Sequence, residues 1–148
     1  MRKIKYIFID SDCPNDNNKS DYPAVSLFRH HFTVTREGLV LDLIDISQTV
    51  NLIQGPIYDR DKYNKCSISI RYCGSLLPHA WLIDPNTSCK SAMQQRAALL
   101  NLLVQLRGLY PSAKILGASE LDGKELYSKN IIVSDTMNVL REELSNMP

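Results

Sequence analysis

The chain has 148 residues, a formal net charge of +1 and 44% hydrophobic residues. That length suits one domain with a substantial core, spanning 1–148, and scattered lysines and arginines at near-neutral charge give no electrostatic footprint for nucleic acid. No apolar run approaches the ~20 residues of a membrane span, and the four cysteines contain no Cys-x-x-Cys, so they are read as reduced thiols of a cytosolic protein.

Residues 3–10 read as a first strand, with Ile4, Tyr6 and Phe8 alternating against Lys3, Lys5, Ile7 and Ile9. Its end is apolar on both faces, which marks a central strand. It runs directly into Asp10 and Asp12 with no small-residue cleavage site, so it is not a signal peptide. Residues 11–23 are turn and loop formers, and Ala24 to Arg29 is too short for a helix to be assigned. Residues 30–35, the Glu37-Gly38 turn and residues 39–44 form a hairpin, with Phe32 and Val34 facing one way and His31 and Thr33 the other.

Residues 46–65 carry no period and include Gly55-Pro56, which gives a loop. Residues 66–73 form a strand with Cys66, Ile68, Ile70 and Tyr72 on one face and Ser67, Ser69, Arg71 and Cys73 on the other. Its two cysteines are ~23 Å apart along an extended chain, beyond disulfide reach. Residues 74–90 make a long connection in which Trp81 is expected to pack as a lid.

Residues 91–110 read as a long helix, with Ser91 and Gln94 as a capping box. Leu99, Leu103, Leu106 and Tyr110 form one apolar stripe, and Met93, Ala97, Leu100 and Val104 a second. Pro111 ends the helix. Residues 113–117 make a strand and 118–132 a polar segment, after which Ser134 caps a last helix burying Met137, Leu140 and Leu144. The sum is an α/β fold, a mixed β-sheet of about five strands flanked by helices.

Three stretches, in this order, resemble the zinc-dependent N-acetylmuramoyl-L-alanine amidases, the phage-lysozyme and peptidoglycan-recognition-protein group. His30-His31-Phe32-Thr33-Val34 with Glu37-Gly38 is similar to the family's Tyr-His-Phe strand and Asp-Gly hairpin. Asn64-Lys65-Cys66-Ser67-Ile68-Ser69-Ile70, ending at Gly74, is similar to its Asn-x-x-Ser-Ile-Gly-Ile strand. Gln95-Arg96-Ala97-Ala98-Leu99-Leu100, through Tyr110-Pro111 and Ile115 to Leu121, is similar to the helix and strand leading into Gly-His-Arg-Asp-Leu. The resemblance implies a sheet flanked by helices with zinc in an open groove. Two histidines and a cysteine would hold the metal, leaving a fourth position for water.

Carried over by position, the first zinc histidine falls on Asp10, the second on Ala118 and the cysteine on Leu126. The family's tyrosine falls on His30, its following histidine, not a zinc ligand, on His31, and its oxyanion lysine on Lys124. Ala118 and Leu126 have no donor atoms, and a lone carboxylate does not hold a catalytic zinc. The stretch from Asp10 to His30 is also shorter than the family's and lacks its first helix pattern.

Adjacent residues on a regular strand face opposite ways, so His30 and His31 do not both reach one metal; one is assigned to a polar groove and one to packing. Asp10, Asp12, Glu120, Asp122 and Glu125 read as a solvated rim rather than a cation site. Cys13 would need contact with His30 or His31 to act as a nucleophile, and is read as inert. The expectation is a degenerate amidase domain with no cofactor, no metal and no catalysis. Its groove residues, Asp10, His30, His31, Ser119, Glu120 and Lys124, would bind a muramyl peptide or a protein partner. A cytoplasmic location is expected, with a phage-type release route left open. The alternatives are an active peptidoglycan amidase with a metal site rebuilt from Asp10, His30 or His31, and Glu120, and a prophage remnant without function.

Overall fold

The computed structural model describes residues 2–11, 30–50, 60–73, 90–117 and 134–147. Among them are five strands and three helices: β1 (Tyr6–Ser11), β2 (Phe32–Val34), β3 (Val40–Asp42), α1 (Arg60–Lys65), β4 (Ser67–Tyr72), α2 (Lys90–Leu109), β5 (Lys114–Gly117) and α3 (Ser134–Ser145). The expected connections at 12–29 and 74–89, with Trp81, and the polar segment at 118–132 lie outside the described residues.

The strands form one mixed sheet in the order β3-β2-β4-β1-β5. β1 runs parallel to β4 and to β5, β2 parallel to β4, and only β2 and β3 pair antiparallel. All six residues of β4 are buried. Register puts Ile7, Ile9, Ile68, Ile70, Phe32 and Val34 on the face that packs against Leu99, Leu103 and Leu106 of α2 and Met137, Leu140 and Leu144 of α3. Leu99 and Leu103 have no exposed surface, and burying each contributes about 1.5–3 kcal/mol.

The opposite face is polar. It carries Ser67, Ser69 and Arg71 of β4, Thr33 of β2 and Asp10 of β1, with Tyr6 and Phe8 beside them. Ser67, Ser69, Thr33 and Arg71 are nonetheless buried. Part of the cover comes from α1, a departure from the loop expected over 46–65. Tyr63 of this helix packs against Tyr6 at a tilt, with ring centroids 5.5 Å apart, and meets Phe8 edge-on at 6.4 Å. A six-residue helix shows no apolar period, because its one and a half turns place a single aromatic inward.

α2 differs from expectation in phase. Met93 is 44% exposed and Ala97 is exposed, so only Leu100 and Val104 of the second stripe reach the core, which Leu102 also joins. The helix starts at Lys90, so Ser91 lies within it rather than at its cap. Gln95 takes the polar role at this end: its amide donates to the carbonyls of Cys73 at 2.6 Å and Val34 at 3.4 Å, tying α2 to the ends of β4 and β2. α2 ends at Leu109, just before Tyr110-Pro111, because a residue preceding proline is driven out of the helical region. One sheet edge, β5, is covered where Arg141 of α3 donates to the Ile115 carbonyl.

The hairpin turn needs its glycine twice over. Gly38 has a φ of 89°, and a Cβ there would lie 3.0 Å from the Gln94 backbone carbonyl on α2. Gly38→Ala is therefore expected to lower stability by about 1–3 kcal/mol. Gly108→Ala, in the last turn of α2 with nothing within 4 Å, is expected to raise it by up to about 1 kcal/mol. Denaturant midpoints of the two variants check the opposite signs.

Candidate functional site

The C-terminal ends of β1, β4 and β5 point the same way, the position where open parallel sheets gather ligands. Asp10 lies there, opposite Arg71 in the ladder. β5 ends at Gly117, whose ladder partner is Ile9, one residue from Asp10. The chain thus leaves β5 beside Asp10, and the next residue in sequence is Ala118.

His30, two residues before β2, turns its Nε2 to Asp10 Oδ2 at 3.3 Å. The His30 side chain is 4% exposed and that of Asp10 15%. The contact is a long hydrogen bond when the imidazole is neutral and an ion pair when it is protonated. His30 Nδ1 is buried and has no partner among the described residues.

His31 goes elsewhere. It is fully buried, its Nδ1 receives the Ser69 backbone N–H at 3.0 Å, and its Nε2 meets the Gln48 carbonyl at 2.7 Å. These two partners fix the tautomer: Nδ1 accepts, so Nε2 carries the hydrogen and donates. Burial first, then the nearby Arg2 guanidinium and His30, lower its pKa from 6.5, with the Gln48 carbonyl opposing. With both nitrogens committed, His31 offers no lone pair to a metal or a substrate.

Two arginines complete the surroundings. Arg2 donates to the carbonyls of Asn64, Lys65, Ser67 and Ile46, and its Nη2 lies 3.2 Å from His31 Nε2. Arg71, 2% exposed, donates to the Cys73 thiol at 3.0 Å. Neither stood out in sequence. Arg2 looks like part of a basic start, and Arg71 like the solvent side of an alternating strand; the only signal was the charge itself in an otherwise uncharged Ser-Ile-Ser-Ile run.

Of the six groove residues expected, Asp10 and His30 are brought together and His31 is separated from them. Ser119, Glu120 and Lys124 lie outside the described residues, as do Asp12, Cys13, Asp122, Glu125 and the positions Ala118 and Leu126. Among the described residues no three His, Cys, Asp or Glu side chains gather where they could hold a metal ion. Cys66 is half-buried and Cys73 buried. No described helix is long and apolar enough to cross a membrane.

No family model matches the chain, and no curated protein matches it by sequence. Solved structures do match. A selenomethionine derivative of AmpD shares 12% identity at a TM-score of 0.62, over 93% of this chain and 84% of that one. The Ph2119 endolysin from the Thermus scotoductus MAT2119 bacteriophage shares 17% at 0.60, over 95% and 84%. The N-acetylmuramoyl-L-alanine amidase LysC from Clostridium intestinale URNW shares 13% at 0.62, over 97% and 87%. The chain has the fold of these proteins across nearly its whole length.

The Asp10–His30 contact joins the end of β1 to the residue that leads into β2. A double-mutant cycle with Asp10→Asn and His30→Gln is expected to show a coupling of about 1 kcal/mol in unfolding free energy. His31→Gln is expected to couple to Asp10→Asn by less than about 0.3 kcal/mol, since the two side chains share no partner.

Proposed function

We propose that this chain is a single amidase-like domain that recognises a muramyl peptide, or a protein partner in its place, without hydrolysing it. The observation that carries the reading is the composition of the strand ends. The fold sets β1 and β5 side by side; Asp10, engaged by His30, lies on β1, and in sequence Ala118 follows the last residue of β5. A catalytic zinc needs three donor side chains and an open position. By the carry-over from the amidase family, two of the three places hold Ala118 and Leu126, which have no lone pairs. The donor set therefore does not fit zinc, and no step through a metal follows from it.

What remains is suited to binding. Asp10 is a partly exposed carboxylate whose direction is set by His30, able to accept from the amides of a peptide stem. Ser119, Glu120 and Lys124 follow β5 in sequence and carry further polar groups. The absence of the family's first helix pattern between Asp10 and His30 supports a groove of altered shape.

The test uses the whole chain with a muramyl dipeptide and a muramyl tripeptide. Calorimetry is expected to show saturable binding, weakened about tenfold by Asp10→Ala, the loss of one charge-assisted hydrogen bond. Chromatography of the same mixtures is expected to show no free peptide released. Peptide release that stops on adding a chelator would instead establish the rebuilt metal centre. No binding and no release would remove the muramyl ligand and leave a protein partner, to be sought by mixing with cell-wall enzymes.

A further inference from the structure

We propose that His31 is an acid-sensitive latch: protonation at its Nδ1 releases the Ser69 amide and sets an imidazolium against Arg2, loosening the N-terminal segment and residues 44–50 from the sheet. This device is independent of any ligand at Asp10.

The geometry is specific. His31 and Ser69 are joined twice, by the His31 N–H to the Ser69 carbonyl at 2.9 Å and by the Ser69 N–H to His31 Nδ1 at 3.0 Å. The imidazole stands where a strand would offer a carbonyl, and so extends the β2–β4 pairing by one step through a side chain. A carbonyl oxygen accepts at every pH, whereas an imidazole nitrogen stops accepting once it is protonated. The Ser69 N–H would then face another N–H inside a strand that is buried throughout, and buried backbone donors are rarely left unpaired.

The Nε2 side adds a second penalty. Arg2 Nη2 lies 3.2 Å from Nε2, and the two share the carbonyls of one turn, Ile46 taking Arg2 and Gln48 taking His31. A charged imidazole at that distance from a guanidinium is opposed by like charge. The other described charged or titratable groups acting on His31 are His30, next to it in sequence, Asp42 on β3 and Asp45 in the following turn. Both aspartates favour the cation, but Asp45 is fully exposed and screened by solvent, and burial outranks Asp42 among the causes that set the direction for His31.

The sign follows. A histidine kept neutral in the folded state contributes nothing above its unfolded value of about 6.5, and destabilises progressively as pH falls below it. Arg2 also holds Asn64, Lys65 and Ser67, so its displacement reaches the junction of α1 and β4.

The experiment is an NMR titration of the intact chain from pH 7.5 to 4.5, reading His31 ring nitrogens and amide hydrogen exchange. The expected result is an Nε2–H tautomer at neutral pH, titration below 6.5, and a fall of about tenfold in Ser69 protection, corrected for intrinsic exchange, as the ring protonates. His31→Gln, whose amide supplies one acceptor and one donor at any pH, is expected to hold Ser69 protection level over the same range. His31 titrating at or above 6.5, or Ser69 protection unchanged while the ring protonates, would overturn the latch. So would an equal loss of protection in His31→Gln.

Discussion

The structure depends on a strand that has no solvent side. Every residue of β4 is buried, so its isoleucines and its serines must both be accommodated. Ile68 and Ile70 meet α2 and α3 in the apolar core. Ser67, Ser69 and Arg71 face a second layer, where each polar group costs free energy unless it finds a partner. Several features of the molecule answer that requirement. His31 supplies the acceptor for the Ser69 amide, Gln95 caps the carbonyls at the far ends of β2 and β4, and Arg2 collects those near the start of β4. Among the described residues, the hydroxyls of Thr33, Ser67 and Ser69 have no partner.

The same constraint shapes the candidate site. Parallel neighbours β1, β4 and β5 end together, which places Asp10 beside the exit of β5. In the amidase fold this is the frame on which the resemblance would set two zinc ligands. Here the frame is a buried parallel sheet backed by a long helix, and β1 carries a carboxylate bonded to His30. The buried faces of β4 and α2 hold the sheet whatever side chains the strand ends carry.

Much of this was legible in the sequence, for physical reasons. The alternation in residues 66–73 gave the two faces of β4, the Glu37-Gly38 pair gave the hairpin, and the leucines at 99, 103 and 106 gave the inward side of α2. What periodicity could not reveal was the burial of the polar face. An alternating strand normally implies water on one side, and Ser67, Ser69 and Arg71 looked like that side. α1 was missed because six residues hold too few turns to show a period, and the expected second stripe of α2 fails at Met93 and Ala97, which are exposed. At the site, His30 and His31 both precede β2, and their side chains turn to different partners. The partners they found, Asp10, Ser69, Gln48 and Arg2, come from distant segments and leave no local pattern.

The chain has the amidase fold, and the proposed reading is that its donor set does not hold zinc. Native mass spectrometry of the intact chain, equilibrated with excess zinc and then buffer-exchanged, tests it most directly. The account predicts the mass of the metal-free chain, unchanged in Asp10→Ala. One zinc retained per chain, and lost in Asp10→Ala, would contradict it.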